Sequence, residues 1–370
     1  MHIAVPKETK NHEYRVAVTP AGVHELVRHG HTVHVEAGAG LGSSIPDADY
    51  TAAGAVVEPD AATTWAAGEL ILKVKEPLPG EYQHLHSGQV LFTYLHLAAD
   101  KELTLELLAR GGTAIAYETV QTADGGLPLL APMSEVAGRL APQVGAAALL
   151  KAAGGRGTLL GGVPGVAPGH VVILGAGVSG LNAARVAAGM GARITLIDRN
   201  VRALAAADDL FLGRVQTLAS SAWEIERAVL DADLVVGAVL VAGAKAPVLV
   251  SNDLVARMRP GSVLVDISID QGGCFEDSRP TTHADPTYRV HGSTFYAVAN
   301  MPGAVPHTST HALTNVTLPY AVELANLGWR TAMRADATLA RGLNAHGGAV
   351  THAGVAEAHG LELTEPGAVL

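Results

Sequence analysis

The chain has 370 residues, 48% of them apolar and 42 of them glycine, with a formal charge of −10. That length suits two domains, each able to bury a full core, and the acidic balance argues against a nucleic-acid partner, whose phosphates need a basic footprint. The sole cysteine, Cys274 in "QGGCFE", rules out an intrachain disulfide and fits a reducing, cytoplasmic setting.

The start "MHIAVPKETK" lacks the long apolar segment of a signal peptide. Residues 157–184 carry no Asp, Glu, Lys or Arg, but Pro164, Pro168, His170 and repeated glycines break them, so no membrane partner is expected. In chain order the apolar runs are "HIAVP", "HTVHVEAG", "ELILKVKE", "QVLFTYLHL" and "TAIAYETVQ". Helical stretches lie between them. "PAGVHELVRHG" has Pro20 near its start and Gly30 past its end, and "DKELTLELLARGG" is opened by Asp100 and closed by Gly111. Such alternation predicts a mostly parallel sheet covered by helices on both faces, over residues 1–130.

A second series follows the Gly/Pro-rich stretch "GGRGTLLGGVPGVAPG": "HVVILGAG", "RITLIDRN", "VQTLAS", "DLVVGAVL", "SVLVDISID" and "TFYAVANM". It defines a domain over 131–306. In the tail, 307–370, Val316, Leu318, Val322, Leu324 and Leu327 suit one face of a long amphipathic helix that returns to the first domain. The predicted fold is α/β: two Rossmann-like, doubly wound parallel-sheet domains, the substrate domain being the discontinuous one.

"VVILGAGVSGLNAARVAAGMGARITLID" places Gly175, Gly177 and Gly180 in a G-x-G-x-x-G array between a strand and a helix, with Asp198 closing the next strand. The first glycine permits the tight turn, the second lets the backbone approach a pyrophosphate, and the third lets helix and strand pack closely. The helix N-terminus then offers N–H groups to the anion. Glycine is abundant here and a lone array is weak, but the full strand–turn–helix–strand context favours a dinucleotide site. Asp198 accepts from an adenosine ribose and repels a 2′-phosphate, so the expected cofactor is NAD, with Arg199 and Arg202 beside it. Val239 and Leu240 in "GAVL", and Val298 and Met301 in "VANM", supply small groups for the ring. Ser179, Ile267, Ile269 and Asn300 complete the cofactor-binding set.

Four isolated polar side chains sit at strand ends: Arg15 after the first strand, Lys75 after "LILKVK", His96 after "VLFTYLH" and Asp270 after "LVDISI". Alone, each has an ordinary reading, since a single Arg or Lys is usually solvated, a lone His is often structural and an Asp often caps a turn. Together they are expected to face one interdomain cleft opposite the nicotinamide. A guanidinium holds a carboxylate bidentately, an ammonium steadies a carbonyl oxygen, and an imidazole exchanges a proton. The set suits hydride transfer on a small anionic hydroxy acid or amino acid. His84 and His86 lack a clear third ligand, so no metal is expected.

"PKETKNHEYRVAVTPAG", "LLKVKEP", "LFTYLHLA", "YETVQTADGGLPLLAPMSEVAGR", "GGVPGV", "LGAGVSGLNAA" and "VDISIDQGGCFEDSRPTTH" resemble bacterial alanine dehydrogenase nearly end to end. The resemblance implies reversible NAD-dependent oxidative deamination of L-alanine to pyruvate and ammonium, in a homohexamer. It implies substrate binding by Arg15 and Lys75, catalysis by His96 and Asp270, and cofactor contacts from Ser134, Val178, Asp198, Ser220, Val239, Leu240, Arg279 and Met301. Where relatives place a lysine near the adenosine ribose this chain has Ala203, leaving Arg202 or Arg199 for that contact. The signature around Arg15 also resembles the NAD-binding portion of proton-translocating transhydrogenase. The resemblance implies that such modules lack the catalytic His and Asp, both present here.

Overall fold

The computed structural model describes residues 1–239 and 246–370. Leu240 lies outside the described residues. In chain order the strands are β1 (His2–Val5), β2 (Thr32–Glu36), β3 (Val56–Glu58), β4 (Leu70–Leu72), β5 (Val90–Thr93), β6 (Thr113–Ala116), β7 (His170–Leu174), β8 (Arg193–Asp198), β9 (Gln216–Ala219), β10 (Leu234–Gly237), β11 (Val263–Asp266), β12 (Thr287–Val290), β13 (Ser293–Tyr296), β14 (Leu343–His346) and β15 (Ala349–Val350). Two compact units result, one formed by Met1–Met133 with Val305–Leu370, the other by Ser134–Ala304.

The first unit holds a sheet in the order β15-β14-β6-β5-β4-β1-β2-β3. From β6 to β3 the pairing is parallel, β14 joins β6 antiparallel, and β15 pairs antiparallel beyond it as the edge strand. β5 and β6 are buried along their whole length, as parallel strands covered on both faces must be. The order reverses at β1: the chain runs out through β2 and β3, then returns to β4 on the other side. Ligand-binding loops leave a doubly wound sheet at such a point. Here those loops carry Arg15, after β1, and Lys75, after β4.

Local signals set the helix ends. Thr19 accepts from Gly22 N ahead of Pro20–Arg28, with Pro20 in the first turn. Asp100 accepts from Leu103 N ahead of Lys101–Arg110, which ends on Gly111 at φ 71°.

The tail helix, Pro306–Leu327, buries only part of the expected face: Leu324 is inside and Val316, Leu318 and Val322 are half-buried, but the deepest residues lie beside that stripe. Thr310, Leu313, Thr314, Thr317, Ala321 and Leu324 are inside, whereas Leu327 is 47% exposed. The reason is polar pairing. Thr310 Oγ1 accepts the Val16 N–H at 3.1 Å and pairs with Ser43 Oγ at 2.7 Å. The backbone next to Arg15 is thus satisfied by a hydroxyl nearly three hundred positions later, and small residues let the helix come that close.

The second unit holds β12-β13-β11-β10-β7-β8-β9, parallel except for the edge strand β12. Alternate residues feed opposite faces. Val171, Ile173 and Val236 pack on one side; Val172, Leu174 and Val235 pack on the other. Its order reverses at β7, whose following turn is the glycine array.

Candidate functional site

Arg15 lies in the loop after β1 and is buried with Glu13, their side chains 1% and 0% exposed. Arg15 Nε and Nη2 donate to the two Glu13 oxygens at 2.7 and 2.5 Å, and Arg15 N donates to the same carboxylate at 3.1 Å. Burial alone would raise the Glu13 carboxyl, but hydrogen bonding and attraction to Arg15 prevail and hold it down at about 2. The bidentate edge of the guanidinium, expected to grip a ligand, is therefore used internally. Nη1 donates to Met133 Sδ at 3.0 Å. A thioether is a weak acceptor, readily displaced by a carboxylate.

Lys75 follows a second buried network. Lys73 is fully buried and donates to Glu8 at 3.2 Å and Glu81 at 2.9 Å. Glu8 Oε1 in turn accepts the N–H groups of Val74 at 2.6 Å and Lys75 at 3.4 Å. Burial pushes the Glu8 carboxyl up against the pull of Lys73; Lys73 itself is raised because its two carboxylates outweigh burial. The loop after β1 thus fixes the backbone after β4.

His96 stands three residues past β5 in left-handed backbone, φ 53° and ψ 34°, a conformation that costs a non-glycine residue energy. Glu118 holds it there, accepting His96 N–H at 2.6 Å and Leu95 N–H at 3.2 Å. The imidazole lies nearly parallel to the Tyr94 ring, 6.0 Å between centroids and 11° between planes. Lys75 Nζ sits 5.9 Å from that same ring centroid. Burial pushes the Tyr94 hydroxyl up, and Arg15, Glu118 and Glu13 all act on it; it donates to the Leu129 carbonyl at 2.6 Å. Three of the four predicted polar residues therefore gather around Tyr94.

The second unit carries the nucleotide-type turn. Gly175 adopts φ 108°, and a Cβ on Gly180 would overlap the Gly175 carbonyl oxygen. At Gly177 a Cβ would meet nothing within 4 Å. The helix Val178–Gly189 starts there, and no described side chain caps it. Open space above free N–H groups suits a pyrophosphate. Asp198 closes β8 and ties the turn down, accepting Ala176 N–H at 2.6 Å and Asn200 N–H at 2.7 Å. Its carboxylate has further lone pairs for a ribose hydroxyl. These features fit a dinucleotide.

Around this turn Val178 is exposed, Ser179 half-buried and Ser220 exposed beside Asp198, whose carbonyl accepts the Ser220 N–H at 2.9 Å. Ser134 is half-buried on the helix Ala131–Ala148, one turn before Gly138, which lets that helix approach the Ser179 carbonyl closely. Arg202 is exposed in the first turn of Val201–Phe211, where Asn200 caps the N–H groups of Arg202 and Ala203. The Arg279 guanidinium lies 4.1 Å from the Tyr288 ring centroid. Val239 is half-buried and its carbonyl accepts from Ser268 Oγ at 2.7 Å. Val298 and Met301 are buried among the apolar core residues of this unit.

Asp270 is not at a strand end. β11 stops at Asp266, and Asp270 lies on the 3-10 turn Ile267–Gln271 with Ile267 half-buried and Ile269 buried. Buried Asp266 causes the turn by accepting Ser268 N–H and Cys274 N–H, both at 2.9 Å, and Ser278 Oγ–H at 2.5 Å. Burial raises its carboxyl despite these bonds. Asp270 is exposed and accepts the Asn300 N–H at 3.3 Å on each oxygen. Burial also holds the Cys274 thiol well up, in keeping with a small inert residue.

Residues 4–137 match the family model described as "Alanine dehydrogenase/PNT, N-terminal domain", and residues 141–353 match that described as "Alanine dehydrogenase/PNT, C-terminal domain". The chain belongs to the alanine dehydrogenase/PNT family. It is 61% identical to an alanine dehydrogenase of Mycobacterium tuberculosis over 370 residues, all of both chains. Among solved structures it resembles an L-alanine dehydrogenase at TM-score 0.94 and 54% identity, over 97% of this chain and 99% of that one. A transhydrogenase from Sinorhizobium meliloti is more distant, at TM-score 0.80 and 26% identity over 95% and 99%.

Several residues of this family member escaped the sequence reading: Glu8, Glu13, Lys73, Tyr94, Glu118 and Asp266. Glu13 carried a usable signal, an acid two residues before a singled-out arginine between apolar runs. Lys73 carried another, a lysine among residues that alternate as a buried strand. Glu118 carried none, because its partner is a backbone N–H 22 positions away.

Proposed function

We propose that this protein is an NAD-dependent L-alanine dehydrogenase, converting L-alanine, NAD and water reversibly to pyruvate, ammonium and NADH with release of a proton. The observation that carries this reading is the end-to-end likeness to alanine dehydrogenases in both sequence and structure. NAD, when bound, takes the hydride from the substrate Cα or returns it.

The chain's own residues do the remaining work. Arg15 and Lys75 hold the substrate carboxylate, and the Lys75 ammonium steadies the carbonyl oxygen of pyruvate. Neutral His96 takes a proton from the water oxygen that adds to the imine carbon and gives one to the departing nitrogen. Asp270 orients that water or the ammonia. Gly177 and the helix behind it receive the pyrophosphate, and Asp198 accepts from the adenosine ribose. Ser134, Val178, Ser179, Ser220, Val239, Leu240, Ile267, Ile269, Arg279, Val298, Asn300 and Met301 form the rest of the proposed cofactor contacts, with Arg202 beside the ribose. We further infer a cytoplasmic homohexamer; among the described residues no helix is long and apolar enough to cross a membrane.

The test is NADH absorbance with NAD and a panel of acids. L-alanine should be turned over, D-alanine and L-lactate poorly. Equal turnover of L-lactate would overturn the amino-acid assignment.

A further inference from the structure

We propose that Glu13 sets the substrate class of this site, restricting it to small acids that carry a single carboxylate. The inference rests on Arg15 and Lys75 being the substrate anchors, as proposed above.

Two cations, Arg15 and Lys75, would by themselves welcome a dianion. Glu13, however, is fully buried against Arg15, through both of its oxygens, and it also feels the Lys75 charge. Pairing with Arg15 keeps Glu13 ionised despite burial. The remaining nearby cation, Lys73, is already matched by Glu8 and Glu81. Around Tyr94 the carboxylates of Glu13 and Glu118 face Arg15 and Lys75, Glu76 adds its charge beside Lys75, and Lys73 is held by Glu8 and Glu81. The Tyr94 hydroxyl hydrogen is committed to the Leu129 carbonyl and is not offered to a ligand.

A first carboxylate, arriving at Arg15 beside Met133 Sδ, replaces a weak acceptor with a strong one. A second carboxylate on the same small molecule would lie within a few ångströms of Glu13 and meet no unmatched cation. At that range like charges in a partly desolvated site repel by enough to change affinity about tenfold or more. Glu13 therefore acts by excluding what Arg15 and Lys75 alone would accept.

Malonate and its monoamide, malonamate, differ by one charge at nearly constant shape. Their competitive inhibition of pyruvate reduction, followed by NADH absorbance, isolates the charge effect. The unmodified protein should bind malonamate more tightly than malonate. In Glu13→Gln, which keeps the side-chain shape and removes the charge, relative malonate binding should rise about tenfold or more. Glu13→Asp, which keeps the charge, should retain the unmodified preference. A Glu13→Gln protein that still reduces pyruvate with an unchanged malonate/malonamate ratio would overturn the proposal. Should that variant fail to fold, the unmodified protein decides, because equal inhibition by the two compounds overturns it as well. Absence of any pyruvate reduction by the unmodified protein would instead sink the alanine dehydrogenase reading beneath it.

Discussion

Glu118 accepts the backbone N–H of His96 at 2.6 Å and so holds that histidine in left-handed backbone at φ 53°. The carboxylate does not need to touch a substrate to matter. Glu118→Ala should release the strained segment and lower kcat roughly tenfold, in line with a charge-assisted hydrogen bond worth about 1.5–3 kcal/mol. Glu118→Gln, which keeps one acceptor oxygen, should recover much of it. Steady-state kinetics decide: a Gln variant as poor as the Ala variant would count against positioning through the backbone.

Catalysis and binding separate in the two proposed chemical groups. His96→Ala and Asp270→Asn should each lower kcat by about a hundredfold or more if proton transfer and orientation are lost. NADH fluorescence titration should show affinity preserved in His96→Ala and modestly changed in Asp270→Asn. Full alanine-dependent turnover in both would remove them from the mechanism.

The glycine turn gives an internal contrast. Gly177→Ala meets open space and should leave the thermal midpoint unchanged while weakening NADH binding, since its methyl enters the room kept for the pyrophosphate. Gly180→Ala meets the Gly175 carbonyl and should destabilise the fold by about 1–3 kcal/mol. Calorimetry with NADH titration tests both, and equal thermal loss in the two variants would refute the distinction.

Asp198→Ala should raise the NADP/NAD ratio of kcat/KM by removing a charge that repels a 2′-phosphate. It should also loosen the turn, because Asp198 accepts Ala176 N–H. An unchanged ratio would mean that Asp198 only ties the turn and does not read the ribose.

Acid should act through Glu13. Its carboxyl is held at about 2 against an ordinary value of 4.5, so it binds a proton more readily unfolded than folded. The stability it lends, on the order of 3 kcal/mol, is complete above about pH 4.5 and is lost as pH falls through about 2. Denaturant unfolding between about pH 5 and about pH 2.5 should show a smaller drop for Glu13→Gln than for the unmodified protein. Equal drops would place the acid sensitivity elsewhere.

Legibility in the sequence followed the range of the forces involved. Pro20, Asp100 and Gly111 mark helix ends because capping is local, and the glycine array marks its turn because steric crowding there is local too. The tail helix is visible as a helix and its apolar stripe is partly buried, but the inward turn of Thr310 depends on a bond from Val16 N that no periodicity announces. Asp270 was recognised, but its 3-10 setting depends on Asp266, whose role is visible only once Cys274 and Ser278 fold back onto it. The internal pairing of the Arg15 fork is not legible, because nothing in the sequence reveals that Glu13 turns toward it.

β14, laid antiparallel along β6, has a consequence for the order of synthesis. A ribosome makes β1–β6 first, yet leaves β6 with an unpaired edge and Val16 N without its hydroxyl partner until the last quarter of the chain emerges. Ser134–Ala304 is continuous and can close during that interval. The half of the protein begun first is therefore finished last, and the nascent β6 edge is the place where a chaperone, or another strand, has time to bind.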